Sequence, residues 1–337
     1  MKLSWIAAAL LGALLLSAGS AAAWWSRQLQ PASLADESVR LFVVERGDAL
    51  GHVARKLESE RFIRNASALK LLARWRGDAG RLRAGEYDLS SSWSTRTILD
   101  RITAGRVRTY EMVLPEGIRA DEIGLRLEAV GVVEAEDFLA AVHDADFARS
   151  LGVEADNLEG YLYPETYRLS RDLSPRDVAR ILVEQFDRVW VEIEPTALEQ
   201  TMTRHEIVTL ASIVEKETAV PEERPLIAAV FLNRLRRGMR LETDPAVIYG
   251  IPDFDGNIKK KHLRDASNPY NTYKIAGLPP GPIASPGIDA LRAVLEPAES
   301  EYLYFVSRND GTHHFSRSYR EHVNAVNRYQ KRRRRAP

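Results

Sequence analysis

The sequence predicts an α+β protein that follows an N-terminal transmembrane helix. Three features lead to this prediction: an uncharged run from Leu3 to Trp25, short strand-like runs that end at turns, and long stretches with apolar residues at helical spacing. A helix over the uncharged run would span the roughly 30 Å hydrocarbon core of a bilayer. Because short strands and several helices are mixed along the rest of the chain, its class is α+β.

The composition supports a folded chain and excludes some partners. The chain has 337 residues and is 45% hydrophobic, which is enough for a substantial core. Lys and Arg together number 47, as do Asp and Glu, so no overall positive field points to nucleic acid. The chain has no cysteine, which excludes disulfides, thiolate nucleophiles and cysteine-ligated metals.

The N-terminal run allows two interpretations. Ala21 to Ala23 offer a small-residue cleavage site for a signal peptide, whereas Trp24 and Trp25 suit the interfacial belt of an uncleaved anchor. We favour the anchor. Residues 1–26 are then a cytoplasmic stub and a single-pass anchor in the inner membrane, 27–38 form a linker, and the remainder lies on the periplasmic or outer side.

A strand-turn-helix-helix pattern occurs twice. Leu41 to Val44 form a strand-like run that Glu45-Arg46-Gly47 ends, and a helical pattern follows. Met112 to Leu114, with the turn Glu116-Gly117, repeat the pattern about seventy residues later. We expect the first copy in a subdomain at 39–108 and the second at the start of a catalytic domain at 109–330, before a basic tail at 331–337.

Glu217 is the candidate for proton transfer. On a helical repeat it shares one face with Leu210, Ile213 and Val214, so its carboxyl points where apolar side chains point. Apolar surroundings disfavour the charged form, which raises the pKa of a carboxyl and suits a general acid. The alternative is a buried carboxylate that pairs with an arginine, such as Arg224 or Arg234.

Other reaction classes find no support in the sequence. The seven histidines lack the spacing of metal ligands, and neither a phosphate-binding loop nor a nucleophilic-serine turn is present. We therefore expect no metal and no cofactor. The basic tail is either a solvated end or a contact with anionic lipid or an acidic partner.

Several runs resemble one family in the same order and at similar spacing. They are Leu210 to Thr218, Val230 to Leu235, Met239 to Gly250, Tyr270 to Tyr273 and Gly277 to Gly281. Together they closely resemble the endolytic murein transglycosylase family, called MltG or YceG-like, over nearly the whole exported part. The run Val44 to Leu50 also resembles the start of a LysM module, although a strand, a turn and a helix capped by Asp48 would explain it equally.

The resemblance implies a reaction and a set of site residues. The reaction cleaves the β-1,4 bond between N-acetylmuramic acid and N-acetylglucosamine without added water and leaves a 1,6-anhydro end. Glu217 would be the catalytic residue, first as acid and then as base. Candidate substrate-binding residues are Thr218, Asn271, Tyr273, Asp244 and Glu159; for Asn271 and Tyr273, loop-anchoring hydrogen bonds are the alternative.

One departure from the family keeps two other functions open. Position 242, where the family has a neutral Gln, is Glu242. A muramidase could use Glu217 with Glu242 or Asp244 as two carboxylates. A non-catalytic glycan-binding scaffold is the other alternative. The resemblance further implies peptidoglycan strands as substrate, the membrane as anchor, and glycan polymerases or penicillin-binding proteins as partners.

Overall fold

The computed structural model describes residues 2–197 and 201–331, with side chains from Leu11 onward. The start of the predicted cytoplasmic stub and nearly all of the predicted basic tail lie outside these ranges. The chain divides into two compact units. The first runs to Tyr110 and includes Arg168–Asp172; the second comprises Glu111–Tyr167 and the chain from Leu173 onward.

Helix α1 (Lys2–Gln28) corrects the prediction of a transmembrane helix. Within the described residues, none of the helices is both long enough and apolar enough to cross a bilayer. This finding contradicts the transmembrane helix that the sequence predicted over this run.

Besides α1, the first unit has two antiparallel strands and three helices. They are β1 (Val39–Val44), α2 (Leu50–Ser59), α3 (Ala66–Trp75), β2 (Gly85–Ser90) and α4 (Thr95–Thr103). The register pairs Val39 with Ser90 and Val44 with Gly85. Buried apolar side chains from both strands and all three helices form the core, among them Phe42, Leu57 and Tyr87.

The start of α2 differs from the predicted cap. Its N-cap is Ala49, which has no side-chain hydrogen bond, while Asp48 accepts a hydrogen bond from the Glu45 backbone N–H at 2.9 Å. Asp48 therefore closes the turn instead of capping the helix. The order β1, α2, α3, β2 has the two strands and two helices of a LysM module, but the LysM likeness and glycan binding stay predictions.

The middle of the chain contains a second strand-helix-helix segment. Its elements are β3 (Tyr110–Val113), α5 (Ala120–Ala129), α6 (Ala135–Val142), α7 (Ala145–Ser150) and β4 (Thr166–Leu169). Strands β3 and β4 form a two-stranded sheet, and α5 packs on α6. The architecture of the chain is thus mixed α+β.

The remaining helices and strands follow β4 along the chain. They are α8 (Pro175–Ala197), α9 (Arg204–Glu217), α10 (Arg224–Arg236), α11 (Asp244–Tyr249), α12 (Lys260–Arg264), α13 (Ile288–Leu295), β5 (Tyr304–Ser307), β6 (His313–Ser316) and α14 (Tyr319–Val326). A 3₁₀ turn (Pro221–Glu223) precedes α10, and a π-helical turn (Asn327–Lys331) follows α14.

Helix α9 lies at the centre of this unit. Thr203 and Glu206 form a capping box at its start, and it packs against α10, α11 and α13. Every residue from Ile207 to Val214 is buried. Such a helix is held on several sides, so its last residue, Glu217, has a fixed position.

Candidate active site

Glu217 ends α9 at the edge of a pocket of about 400 Å³. The pocket is lined by Glu116, Gly117, Glu215, Lys216, Glu217, Thr218, Ala219 and Arg224. Glu217 as a residue is half-buried. It thus borders the pocket while most of its surroundings are protein.

The environment of Glu217 favours its protonated form. Burial raises the pKa of this carboxyl, the nearby charge of Asp244 adds to that effect, and the resulting pKa is about 7. A hydrogen bond from the Thr243 hydroxyl, 2.5 Å from Oε1, acts in the opposite direction, as do the charges of His313 and Arg234. Burial is the largest of these effects, so Glu217 can hold a proton near neutral pH.

Neither of the two arginines considered as partners pairs with Glu217. Arg224 donates to Glu215 at 2.8 Å and to Glu116 at 3.2 Å, and Arg234 donates to Glu242 at 3.2 Å. Arg234 also binds the carbonyl oxygens of Leu241 and Leu303. Both guanidinium groups are therefore committed to other acceptors.

Asp244 and Tyr273 come together beside Glu217. The Tyr273 hydroxyl donates to Asp244 Oδ1 at 2.8 Å. Burial raises the pKa of Tyr273, and the charges of Asp244 and Glu217 raise it as well. Asp244 is the exposed first residue of α11, so its carboxylate faces solvent while Tyr273 holds one of its oxygens.

Thr218 lines the pocket, but its hydroxyl bonds to the backbone. The side chain is buried, and its Oγ1 accepts from the Val220 N–H at 3.0 Å. This bond shapes the turn after α9. The hydroxyl that holds the Glu217 carboxyl belongs to Thr243. Contact of Thr218 with substrate stays a prediction.

Asn271 makes the hydrogen bonds of a loop anchor. It is fully buried, and its Nδ2 donates to the carbonyl oxygens of His262 at 3.1 Å and Asp265 at 2.6 Å. Its Oδ1 accepts from the Tyr273 N–H at 3.1 Å. Asn271 does not line the pocket at Glu217, so the loop-anchoring alternative describes its contacts.

Glu159 lies away from the pocket lining and joins two helices. Both carboxylate oxygens accept from the Ala120 N–H at the start of α5, at 3.2 and 3.3 Å, and the Tyr249 hydroxyl of α11 donates to Oε2 at 3.3 Å. Burial raises the pKa of Glu159 to about 7. These contacts give Glu159 a structural role, and its contact with substrate stays a prediction.

Glu159→Gln tests that structural role. Because the folded-state pKa is raised, wild-type stability falls as pH rises from about 4.5 through 7, and the neutral amide has no such loss. We expect equal stability near pH 4 and a variant more stable by roughly 3 kcal/mol at pH 8. Denaturant unfolding at both pH values measures this, with the exposed Glu128→Gln as control.

The outcome separates two roles for Glu159. Equal pH dependence in Glu159→Gln and wild type would contradict the buried, protonated carboxyl. A KM for glycan strands that stays at the wild-type value fits the structural role, whereas a raised KM would support the predicted substrate contact.

Thr243 and the pair His313 and Glu223 did not stand out in the sequence. Thr243 is buried just before Asp244-Pro245, and only the fold brings it to Glu217. His313 binds Glu223 through Nδ1 at 2.6 Å, and its charge reaches Glu217. No signal within the sequence could have joined positions 217, 243 and 313, because these contacts are long-range. Within the described part of the chain, no cluster of three or more potential metal ligands occurs.

Comparisons with known proteins identify the family. A model of the YceG-like family matches residues 42–328. The endolytic murein transglycosylase of Bacillus subtilis is 27% identical over 92% of this chain and 90% of its own length, and that of Streptococcus pneumoniae (strain D39) is 30% identical over 78% and 53%. A crystal structure of a YceG-like protein from Listeria monocytogenes superposes with a TM-score of 0.60 at 31% identity, covering 86% of this chain and 99% of that one. This chain belongs to the YceG-like family.

Proposed function

We propose that this chain is an endolytic murein transglycosylase, a lyase that cuts inside peptidoglycan glycan strands. It cleaves the β-1,4 bond between N-acetylmuramic acid and N-acetylglucosamine and leaves a 1,6-anhydro end. The observation that carries the proposal is Glu217, a carboxyl with a pKa of about 7 at the edge of a pocket. The names of its relatives in Bacillus subtilis and Streptococcus pneumoniae support it.

Glu217 has the properties that the two proton transfers need. It first gives its proton to the glycosidic oxygen as that oxygen leaves C1 of the muramoyl residue. The resulting carboxylate then takes the proton of the muramoyl C6 hydroxyl as O6 bonds to C1. One proton is given and one is recovered, so the carboxyl ends as it began. A pKa near the working pH suits a group that must do both.

Asp244 supplies the second charge of the site. Its carboxylate lies close enough to raise the pKa of Glu217, and Tyr273 holds one of its oxygens. A fixed negative charge there stabilises the positive charge that develops at C1. Glu242 is paired with Arg234, which leaves Asp244 as the better second carboxylate.

The Asp244 carboxylate close to Glu217 also supports a second candidate function, that of a two-carboxylate muramidase. Such an enzyme would use Asp244 with Glu217 and add water to C1. Mass spectrometry of the products separates the two functions, because a reducing end is heavier than a 1,6-anhydro end by one water. A loss of the second charge through Asp244→Asn slows either reaction and therefore does not distinguish them.

The proposed substrate sets the proposed location and partners. Peptidoglycan lies outside the cytoplasmic membrane, so the catalytic domain acts on the periplasmic or outer side. Cutting nascent strands would terminate their elongation, which puts the enzyme beside glycan polymerases such as penicillin-binding proteins. Protease treatment of intact spheroplasts tests the location: digestion of the catalytic domain is expected, and protection until lysis would contradict it.

We expect the rate of cutting to fall as pH rises through about 7. Glu217 must carry a proton at the start of the reaction, and a carboxyl with a pKa of about 7 loses it over that range. Initial rates on uncrosslinked strands between pH 5.5 and 9 measure the effect. Strand binding measured at the same pH values is the control, and a rate that stays level or rises from pH 6 to 9 would contradict the assignment.

A further inference from the structure

We propose that Thr243 is a positioning residue that binds one oxygen of the Glu217 carboxyl and leaves the other oxygen to carry the transferable proton. The proposal rests on the proposed function and adds a residue that acts through Glu217. Its basis is a set of hydrogen bonds that joins Glu217, Thr243 and Thr272.

The direction of the Thr243 hydrogen bond assigns the two oxygens. A hydroxyl has a single proton, and Thr243 donates it to Glu217 Oε1. Among the described residues, that hydroxyl donates to no other acceptor, so Thr243 remains the donor when Glu217 is protonated. The proton of Glu217 is therefore on Oε2. Oε2 is the atom that gives the proton to the glycosidic oxygen and receives one from the C6 hydroxyl.

Thr243 is held in place by Thr272. The Thr243 N–H donates to Thr272 Oγ1 at 3.0 Å, and Thr272 Oγ1 donates to the Thr243 carbonyl oxygen at 3.0 Å. The N–H of Glu242 donates to the Thr272 carbonyl oxygen at 3.2 Å. Both threonines are buried, with 2% of Thr243 and none of Thr272 exposed. The buried Thr272 hydroxyl acts both as acceptor and as donor toward the Thr243 backbone, so it cannot rotate away. The backbone of Thr243 is therefore fixed.

The residue before Thr243 has an unusual backbone. Glu242 has a φ of +52°, in the left-handed region that non-glycine residues seldom occupy. Its ion pair with Arg234, which also holds the Leu241 carbonyl oxygen, stabilises this conformation. Strained backbone that is retained beside a functional group is typical of sites that need exact placement.

The loop with Thr272 serves both sides of the site. Asn271 fixes the loop, Thr272 binds Thr243, and Tyr273 binds Asp244. Three successive side chains thus place the proton carrier and the second carboxylate relative to each other. This explains the Asn-Thr-Tyr run through its contacts within the protein rather than through contacts with sugar.

Thr243→Val and Thr243→Ser test the proposal. Valine removes the donor at nearly constant volume, whereas serine keeps it. In wild type the hydrogen bond from Thr243 lowers the pKa of Glu217. Its loss in Thr243→Val should raise that pKa and move the alkaline limb of the rate profile to higher pH. The carboxyl also becomes free to turn, so kcat should fall roughly 10- to 100-fold with KM unchanged. Thr243→Ser should keep the wild-type profile and most of kcat.

The outcomes distinguish this proposal from the proposed function. Wild-type kcat and pH profile in Thr243→Val would overturn the role of Thr243, as would an equal loss in Thr243→Ser. If Thr243→Val fails to fold, Thr243→Ala removes the same donor with a smaller side chain. Should wild type itself give no 1,6-anhydro ends, the proposed function fails, whatever Thr243 does.

Discussion

The Glu217→Gln variant is expected to lose cutting by about 10³-fold or more while it stays folded. The amide cannot donate a proton to the glycosidic oxygen, and general acid–base catalysis contributes about 10² to 10⁴ to a rate. The amide can still accept the hydrogen bond from Thr243. The substitution also removes a carboxyl whose charged form is disfavoured by burial. The free energy of unfolding above pH 7 should therefore not decrease. Release of fragments from uncrosslinked strands measures the effect.

Glu222→Gln is the matched control for this variant. Glu222 is an exposed acid in the 3₁₀ turn that follows the site, and it does not line the pocket. Its replacement makes the same carboxyl-to-amide change without touching Glu217. If Glu217→Gln cut strands at the control's rate, the catalytic assignment would be wrong, and a binding scaffold would become the better account.

Arg224→Met is expected to lower the free energy of unfolding by about 3 to 5 kcal/mol. Arg224 and Glu215 are buried partners whose side chains are 9% and 5% exposed, with 2.8 Å between Nη2 and Oε1. Removal of the guanidinium leaves the Glu215 carboxylate buried without its cation, which is the costly case. Burial already raises the pKa of Glu215, and the Arg224 charge opposes that shift. Denaturant unfolding at pH 7 measures the loss.

Arg180→Met is the control, because it removes the same group from a solvated pair. Arg180 and Asp177 are 45% and 40% exposed, so their ion pair contributes about 1 kcal/mol at most. A loss in Arg224→Met no larger than in the control would contradict the buried pair. Since Arg224 also lines the pocket, only unfolding, and not activity, tests this prediction.

Local patterns in the sequence were sufficient to locate Glu217. The spacing of Leu210, Ile213, Val214 and Glu217 predicted a carboxyl on the buried face of a helix, and α9 has these residues in one helix that ends at Glu217. This inference needed only helix geometry. That Glu217 catalyses the reaction stays a prediction, which the first experiment addresses.

The surroundings of Glu217 could not be predicted in the same way. Thr243 meets Glu217 across 26 positions of sequence, and Thr272 meets Thr243 across 29. Helical or strand spacing does not report such contacts. The sequence also could not show whether Asn271 faces substrate or its own loop, because a buried amide suits both until its acceptors are known.

The prediction of a transmembrane helix rested on the length of the run from Leu3 to Trp25 and on its lack of charge. Within the described residues, no helix is long and apolar enough to cross a bilayer.

Digestion of uncrosslinked glycan strands in water enriched in ¹⁸O tests the central claim most directly. If O6 of the muramoyl residue displaces the leaving group while Glu217 moves the proton, the new ends are 1,6-anhydro and contain no ¹⁸O. Mass spectrometry should show such ends with wild type and none with Glu217→Gln. Reducing ends that carry ¹⁸O would contradict the account and identify a muramidase that adds water.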